Sequence, residues 1–342
     1  MTPVVPSTLA EALDPVWLRD ALAPASNGAA IASVETVEKI HTMASKARIA
    51  VRFADAPQRA RAFCLKAFLD AESSSASGGI TTIREARFYR ELSPRTRMRV
   101  PRYVNAIVDD EGKRAILIMS DVIAEGARFC SALEPFTAAQ AQQTLEQIAH
   151  LHSASDAMRD AGWLPCRIDD LSRRQIYSVE DVQALLDDPR GDGLPAQTRS
   201  AELLYAGLKK LAGRFADEPQ ALLHGDCHAG NIYWTPEGPG FADWQLIQRG
   251  HWALDVAYHI AAVLPVAIAE REERTLIDRY LQMRGGLDRD KAWDDYRAAQ
   301  VYGYYHWAIS RRQDPAVTRE FTQRLGAGVT RHQTYRLLGL VG

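Results

Sequence analysis

The stretch His224-Gly-Asp-Cys-His-Ala-Gly-Asn231, followed after nine intervening residues by Phe241-Ala-Asp-Trp244, sets two carboxylates and one carboxamide at fixed intervals. Asp226 and Asn231 are five positions apart, and Asp243 follows Asp226 by seventeen. The first interval is that of the H-x-D-x-x-x-x-N loop of phosphoryl-transfer sites, in which the Asp takes the proton of an attacking hydroxyl and the Asn holds magnesium. The residue types follow from the charge to be handled. A triphosphate carries several negative charges that have to be neutralised while its terminal group is brought in line with an acceptor oxygen. Magnesium does this through hard oxygen ligands and retained waters. Asn231 and Asp243 are therefore the candidate metal ligands. Asp226 is the candidate base, facing the acceptor from hydrogen-bond distance. After Asp243 the chain reads Trp244-Gln245 where Phe-Gly is common.

Such chemistry makes a demand upstream: a lysine on a short strand reaching the phosphates, held by a glutamate on a following helix. Arg61-Ala-Phe-Cys-Leu-Lys-Ala-Phe-Leu69 is an apolar run with one lysine, which reads as a strand carrying Lys66. After a Ser/Gly-rich loop, Glu72 to Gly79, apolar residues at 83, 88, 89 and 92 predict a helix with Glu85 at its start, the natural ion-pair partner of Lys66.

In these pieces the chain resembles the aminoglycoside phosphotransferase and choline kinase group of small-molecule kinases, most nearly its ecdysteroid-kinase-like (CHK kinase-like) branch. The resemblance rests on Lys66, on Glu85 with the Arg-Phe-Tyr-Arg-Glu-Leu after it, and on Leu117-Ile-Met-Ser-Asp-Val122. It rests also on Ile148-Ala-His-Leu-His152, the 224–231 motif and Asp243-Trp244. These pieces fall in family order over roughly residues 30 to 260. The resemblance implies an α+β, protein-kinase-like two-lobed fold with ATP and Mg2+ as cofactors and a small-molecule hydroxyl as acceptor. It implies that His224 and His228 anchor the loop and that Asp255 braces it. The final eighty or so residues match only in being helical.

Two departures stand out. The loop that covers the nucleotide is normally glycine-rich, so that backbone N–H groups approach phosphate closely. Here Glu38-Lys-Ile-His-Thr-Met-Ala-Ser-Lys46 has no glycine, and Ser45 is the candidate phosphate donor. The hinge reads Ser120-Asp121 where the family has Glu-Asp, which leaves recognition of adenine to backbone groups of Ile118, Met119 and Ser120.

With 342 residues the chain should form two lobes. Strand-like alternation from about 30 to 70, in Tyr103 to Val108 and in Arg114 to Met119, with Asp109 to Gly112 as a hairpin turn, predicts a small antiparallel β lobe at 1–119. Residues 120–342 then form a larger, mainly helical lobe, opened by an amphipathic helix over Thr137 to Ser153. Asp14-Pro15 caps an early helix, and Asp187 to Pro195 is a surface loop.

The net charge of −2 argues against nonspecific nucleic-acid or anionic-membrane binding, which need a basic excess. Cysteines at 64, 130, 166 and 227 form no disulfide pattern, and the N-terminus lacks the features of a signal peptide, so a cytoplasmic location is expected. The apolar run Val256 to Ala269 is broken by His259 and Pro265 and is too short to span a bilayer.

Bland readings compete at several positions. Trp293, Tyr296, Tyr302, Tyr304, Tyr305 and Trp307 suit either a substrate pocket or plain core packing, and their helical spacing favours packing. His224, Asp226 and His228 alternate as zinc ligands do, which is the signature of a metal-dependent hydrolase, but that reading leaves Asn231, Asp243, Lys66 and Glu85 unexplained. The glycine-free loop prompts a third alternative, a catalytically silent nucleotide-binding protein.

Overall fold

The computed structural model describes residues 3–41, 44–69 and 78–342. The expected Ser/Gly-rich loop falls outside these residues up to position 77, as do Thr42 and Met43 of the covering loop. The chain divides into two compact units. One comprises Met1–Arg95, Arg99–Arg128 and Phe241–Leu246, the other Thr96–Met98, Phe129–Gly240 and Ile247–Gly342.

The first unit is built on five antiparallel strands, β1 (Ile31–His41), β2 (Ser45–Phe53), β3 (Ala60–Ala67), β4 (Tyr103–Asp109) and β5 (Arg114–Ser120), in the order β1-β2-β3-β5-β4. Alternation decides which face is which. Ala47, Ile49, Val51 and Phe53 of β2 and Phe63, Leu65 and Ala67 of β3 are buried, and they pack in one core with Leu18, Ala21 and Leu22. Those three come from the early helix Pro15–Ala21 and its C-cap; Asp14 caps its start by accepting from the N–H of Val16 and Trp17 at 2.9 and 3.0 Å. Lys46, Arg48, Cys64 and Lys66 alternate with the core residues and so line the opposite face. At the β4–β5 turn Asp109 accepts from the Gly112 N–H at 2.8 Å, and Lys113 takes a left-handed φ of 52°.

The helix bearing Glu85 differs from expectation at its start. It runs Gly78–Arg87 and continues as a π-helical turn, Phe88–Leu92, so Glu85 lies in the third turn and not at the beginning. Gly78 and Gly79 read as loop formers, yet they open the helix. The wider turn still leaves Ile83, Phe88, Tyr89 and Leu92 all buried.

The second unit is mainly helical. Ala138–His152 starts from a Thr137 capping box closed by Gln140. Ala253–Val263 is buried at all eleven positions, and Pro265 separates it from Val266–Arg284. Arg289–Ala308 and Pro315–Arg331 follow. Tyr296, Tyr302, Tyr304 and Tyr305 are fully buried, as core packing requires. No helix among the described residues is long and apolar enough to cross a membrane.

The two most buried of these helices touch through a glycine. A Cβ on Gly303 would stand 2.7 Å from Cδ2 and 2.8 Å from Cγ of Tyr258. Gly303→Ala is therefore expected to destabilise by about 1–3 kcal/mol from overpacking, partly offset by the roughly 1 kcal/mol helix preference of alanine. Urea denaturation measures it; an unchanged midpoint would show that Tyr258 has room to move.

Candidate active site

The motif at 224–231 joins two short strands, Ala221–Leu223 and Ile232–Thr235, in the second unit. Its backbone is fastened from below. Asp255, with no exposed surface, accepts from the N–H of His224 at 2.7 Å and of Gly225 at 2.9 Å. One turn on, His259 Nδ1 lies 2.9 Å from the Cys227 carbonyl, which can only accept, so this nitrogen carries the proton. Its Nε2 is 2.7 Å from the Thr144 hydroxyl. Gly225 takes φ 83°, a left-handed turn open to glycine, and this directs the chain into Asp226.

Asp226 is held at both carboxylate oxygens. Oδ1 accepts from the Tyr258 hydroxyl at 2.9 Å, which in turn accepts from Trp307 Nε1 at 2.7 Å. Oδ2 accepts from Asn231 Nδ2 at 3.0 Å, with His228 Nε2 at 3.5 Å. The same Asn231 nitrogen donates to the Asp226 carbonyl at 2.9 Å. Two acceptors on one side identify it as the amide nitrogen, which turns the carboxamide oxygen away from Asp226. Burial alone would raise the Asp226 carboxyl; electrostatic attraction and hydrogen bonding from His228 lead the neighbours that take it well below its ordinary value. About a quarter of its side chain, 26%, remains open to solvent.

The two loop histidines face the backbone. His224 Nδ1 accepts from the Asp226 N–H at 3.2 Å, and His228 Nδ1 from the Gly230 N–H at 3.1 Å. The His228 ring also meets Trp307 and Phe321 edge to face, at 5.1 and 5.2 Å. Among the described residues no group of three or more His, Cys, Asp or Glu side chains is arranged to hold a metal ion, so His224, Asp226 and His228 do not converge as a zinc site.

The first unit contains a second cluster. Lys66, 2% exposed, stands 2.7 Å from Glu85 Oε2 and 2.8 Å from Asp243 Oδ1. Burial would lower the lysine, but the carboxylates of Asp243 and Glu85 outweigh it and hold the ammonium above its usual value. Glu85 Oε1 accepts from the Trp244 N–H at 3.1 Å, and the Trp244 ring stacks on Phe88 at 3.7 Å between centroids. Trp244 thus fixes the residue before it. Asp243 has φ 64°, a conformation that non-glycine residues adopt rarely and mostly where function requires it.

The expected nucleotide-edge residues lie at the end of β5 and the start of β2. Ile118 and Met119 sit in a central strand, paired with Leu65 and Cys64 on one side and with Asn105 and Tyr103 on the other. The Ser120 N–H donates to the Arg102 carbonyl at 2.9 Å. Ser45 is 5% exposed, with its hydroxyl 3.5 Å from the Leu69 carbonyl. Its neighbour Lys46, which the sequence reading passed over, lies 3.5 Å from Asp243 Oδ2. Tyr258 and His259 were passed over too; their signal was polar atoms on an otherwise apolar helix, in step with Asp255.

Several histidines of this unit are kept neutral by burial. It pushes His251 and His259 down to about 4 and His306 to about 3, against an ordinary 6.5. The unfolded chain binds protons that the folded one refuses, so stability is complete above pH 6.5 and drains as pH falls toward 4. Each should cost about 1–2 kcal/mol by pH 5. Denaturation midpoints at pH 7 and pH 5 test this; equal midpoints would mean that the histidines protonate within the fold.

Residues 70–299 match the phosphotransferase enzyme family (APH), and the chain belongs to that family. It is similar in structure to the GDP complex of aminoglycoside 2'-phosphotransferase-IIIa, with 13% identity over 93% of this chain and 99% of that one, TM-score 0.50. It is similar also to a putative aminoglycoside phosphotransferase from Ralstonia eutropha JMP134, with 15% identity over 90% and 93%, TM-score 0.50. A choline kinase from Streptococcus pneumoniae aligns over 88% and 95% at 13% identity and TM-score 0.46. At these identities the first two likenesses bear on fold alone: a protein-kinase-like α+β architecture with a small antiparallel sheet and a larger helical part. No curated protein matches the sequence.

Proposed function

We propose that the chain is an ATP- and Mg2+-dependent O-phosphotransferase acting on a hydroxyl of a small molecule, with residues 1–119 covering the nucleotide and 120–342 carrying the base and the acceptor. The observation that carries this reading is the buried Lys66 between Glu85 and Asp243. Burying a lysine with two carboxylates is costly in desolvation, and well-packed apolar residues would serve stability as well or better. Such a cluster suits a site that handles phosphate.

The donor set fits the groups the family implies. Lys66 would hold the α- and β-phosphates, with Glu85 orienting it. The oxygen of Asn231, whose nitrogen is committed to Asp226, and the carboxylate of Asp243 are hard ligands of the kind magnesium takes. Bound magnesium supplies charge neutralisation at the phosphate oxygens. Asp226, ionised and partly open, accepts the proton of the acceptor hydroxyl. Backbone groups at the end of β5, about residues 118 to 120, remain the proposed edge for adenine, with Ser120 foremost because it ends the strand.

A small acceptor is favoured over a protein because only about a dozen residues separate Asp243 from Asp255, too few for a peptide-binding activation loop. All four cysteines are free thiols, in keeping with the proposed cytoplasmic setting. Within the family, the ecdysteroid-kinase-like branch is the proposed placement.

Screening hydroxylated sterols, sugars, choline-like and xenobiotic alcohols for acceptor-dependent ADP release tests the reading. Nucleotide binding without transfer to any acceptor would favour the silent alternative. Asp243→Ala should weaken Mg-ATP binding, and calorimetry giving wild-type affinity would remove Asp243 from the metal role.

A further inference from the structure

In the β2–β3 ladder Lys46 stands directly opposite Lys66, both on the face away from the apolar core. Like charges paired across strands cost sheet stability. The cost is offset here by Asp243, whose Oδ2 lies 3.5 Å from Lys46 Nζ and whose Oδ1 lies 2.8 Å from Lys66 Nζ. The two lysines are not equally provided for. Lys66 also has Glu85 at 2.7 Å, whereas Asp243 is the sole ion-pair partner of Lys46 among the described residues. Lys66 is nearly enclosed, while the Lys46 side chain keeps 26% of its surface.

Two lysines and two carboxylates balance. Committing Asp243 to a divalent cation breaks that balance: Lys66 retains Glu85, and Lys46 is left facing Lys66 with no direct ion-pair partner among the described residues. An anion at that face restores it. The sequence supplies the complementary fact, since the stretch from Glu38 to Lys46 has no glycine to bring backbone N–H groups against phosphate. Ser45 turns its hydroxyl to the Leu69 carbonyl instead. We infer that Lys46 is a phosphate ligand of the nucleotide, supplying by side-chain charge the contact that a glycine-rich loop makes with its backbone, and that its bond to Asp243 is the resting arrangement this contact replaces. The inference rests on the nucleotide reading above.

Calorimetric titration of wild type, Lys46→Met and Lys46→Arg with ATP, ADP and adenosine, each with Mg2+, separates the possibilities. Loss of one charged contact predicts that Lys46→Met binds ATP and ADP about 10-fold or more weakly and adenosine as wild type does, with Lys46→Arg retaining most of the affinity. The dependence of ATP affinity on salt should flatten in Lys46→Met. Wild-type ATP affinity in Lys46→Met would overturn the role of Lys46 and leave the nucleotide reading standing. Equal losses for ATP and adenosine in both variants would make Lys46 a scaffold residue and overturn it as well. A folded wild type, verified by circular dichroism, that binds none of the three would overturn both.

Discussion

Asp226→Asn is expected to lower turnover by roughly 10²-fold or more, the scale for losing a general base, while Mg-ATP affinity stays close to that of the wild type. The substitution keeps size and shape. It removes the charge that accepts a proton, and it leaves Lys66, Glu85 and Asp243 untouched. An asparagine facing Tyr258 and Asn231 has one carbonyl oxygen where the carboxylate offered two. One of those two hydrogen bonds is therefore lost, a modest stability cost of about 1 kcal/mol that does not account for a hundredfold effect. Steady-state kinetics beside nucleotide calorimetry separates the two. A variant with wild-type turnover would show that Asp226 is not the base.

Asp255→Ala should strike stability hard. The carboxylate accepts from two buried backbone N–H groups, those of His224 and Gly225, and its Oδ2 lies 3.3 Å from His152 Nε2. Alanine leaves these groups buried with nothing to receive them, at about 1–3 kcal/mol for each unsatisfied donor. The sum is on the order of 3–5 kcal/mol, which is much of the stability of an ordinary domain. Burial would raise this carboxyl; the hydrogen bond and electrostatic attraction of the His152 ring, with the Gly225 N–H among the other donors, set it below its ordinary 3.8. Its contribution is thus whole above that value and is lost only in stronger acid. Chemical denaturation at neutral pH measures the effect. A loss under about 1 kcal/mol would show that water replaces the carboxylate.

Much of the fold was readable because its signals are local. Alternation in β2, the Asp109 turn, the Thr137 cap and the apolar run ended by Pro265 each depend on a few neighbouring residues. The motif from His224 to Asn231 was readable for another reason: its chemistry tolerates few residue types and fixes their spacing. What escaped depends on pairing between distant segments. Lys46 looks like any half-exposed strand lysine until the register sets it opposite Lys66. Tyr258 and His259 hid within a helix apolar enough to be taken as core, which it also is. The early start of the Glu85 helix was masked by Gly78 and Gly79, poor helix formers in its first turn.

The helix Ala253–Val263 has no face toward water, and it carries both Asp255 and His259, which moor the loop of the proposed base. Anchorage of that kind insulates reactivity from change at the periphery. Exposed positions on the flanking helices can be exchanged over generations without the proton acceptor losing its aim, so new acceptors are within reach of a lineage that never rebuilds its chemistry.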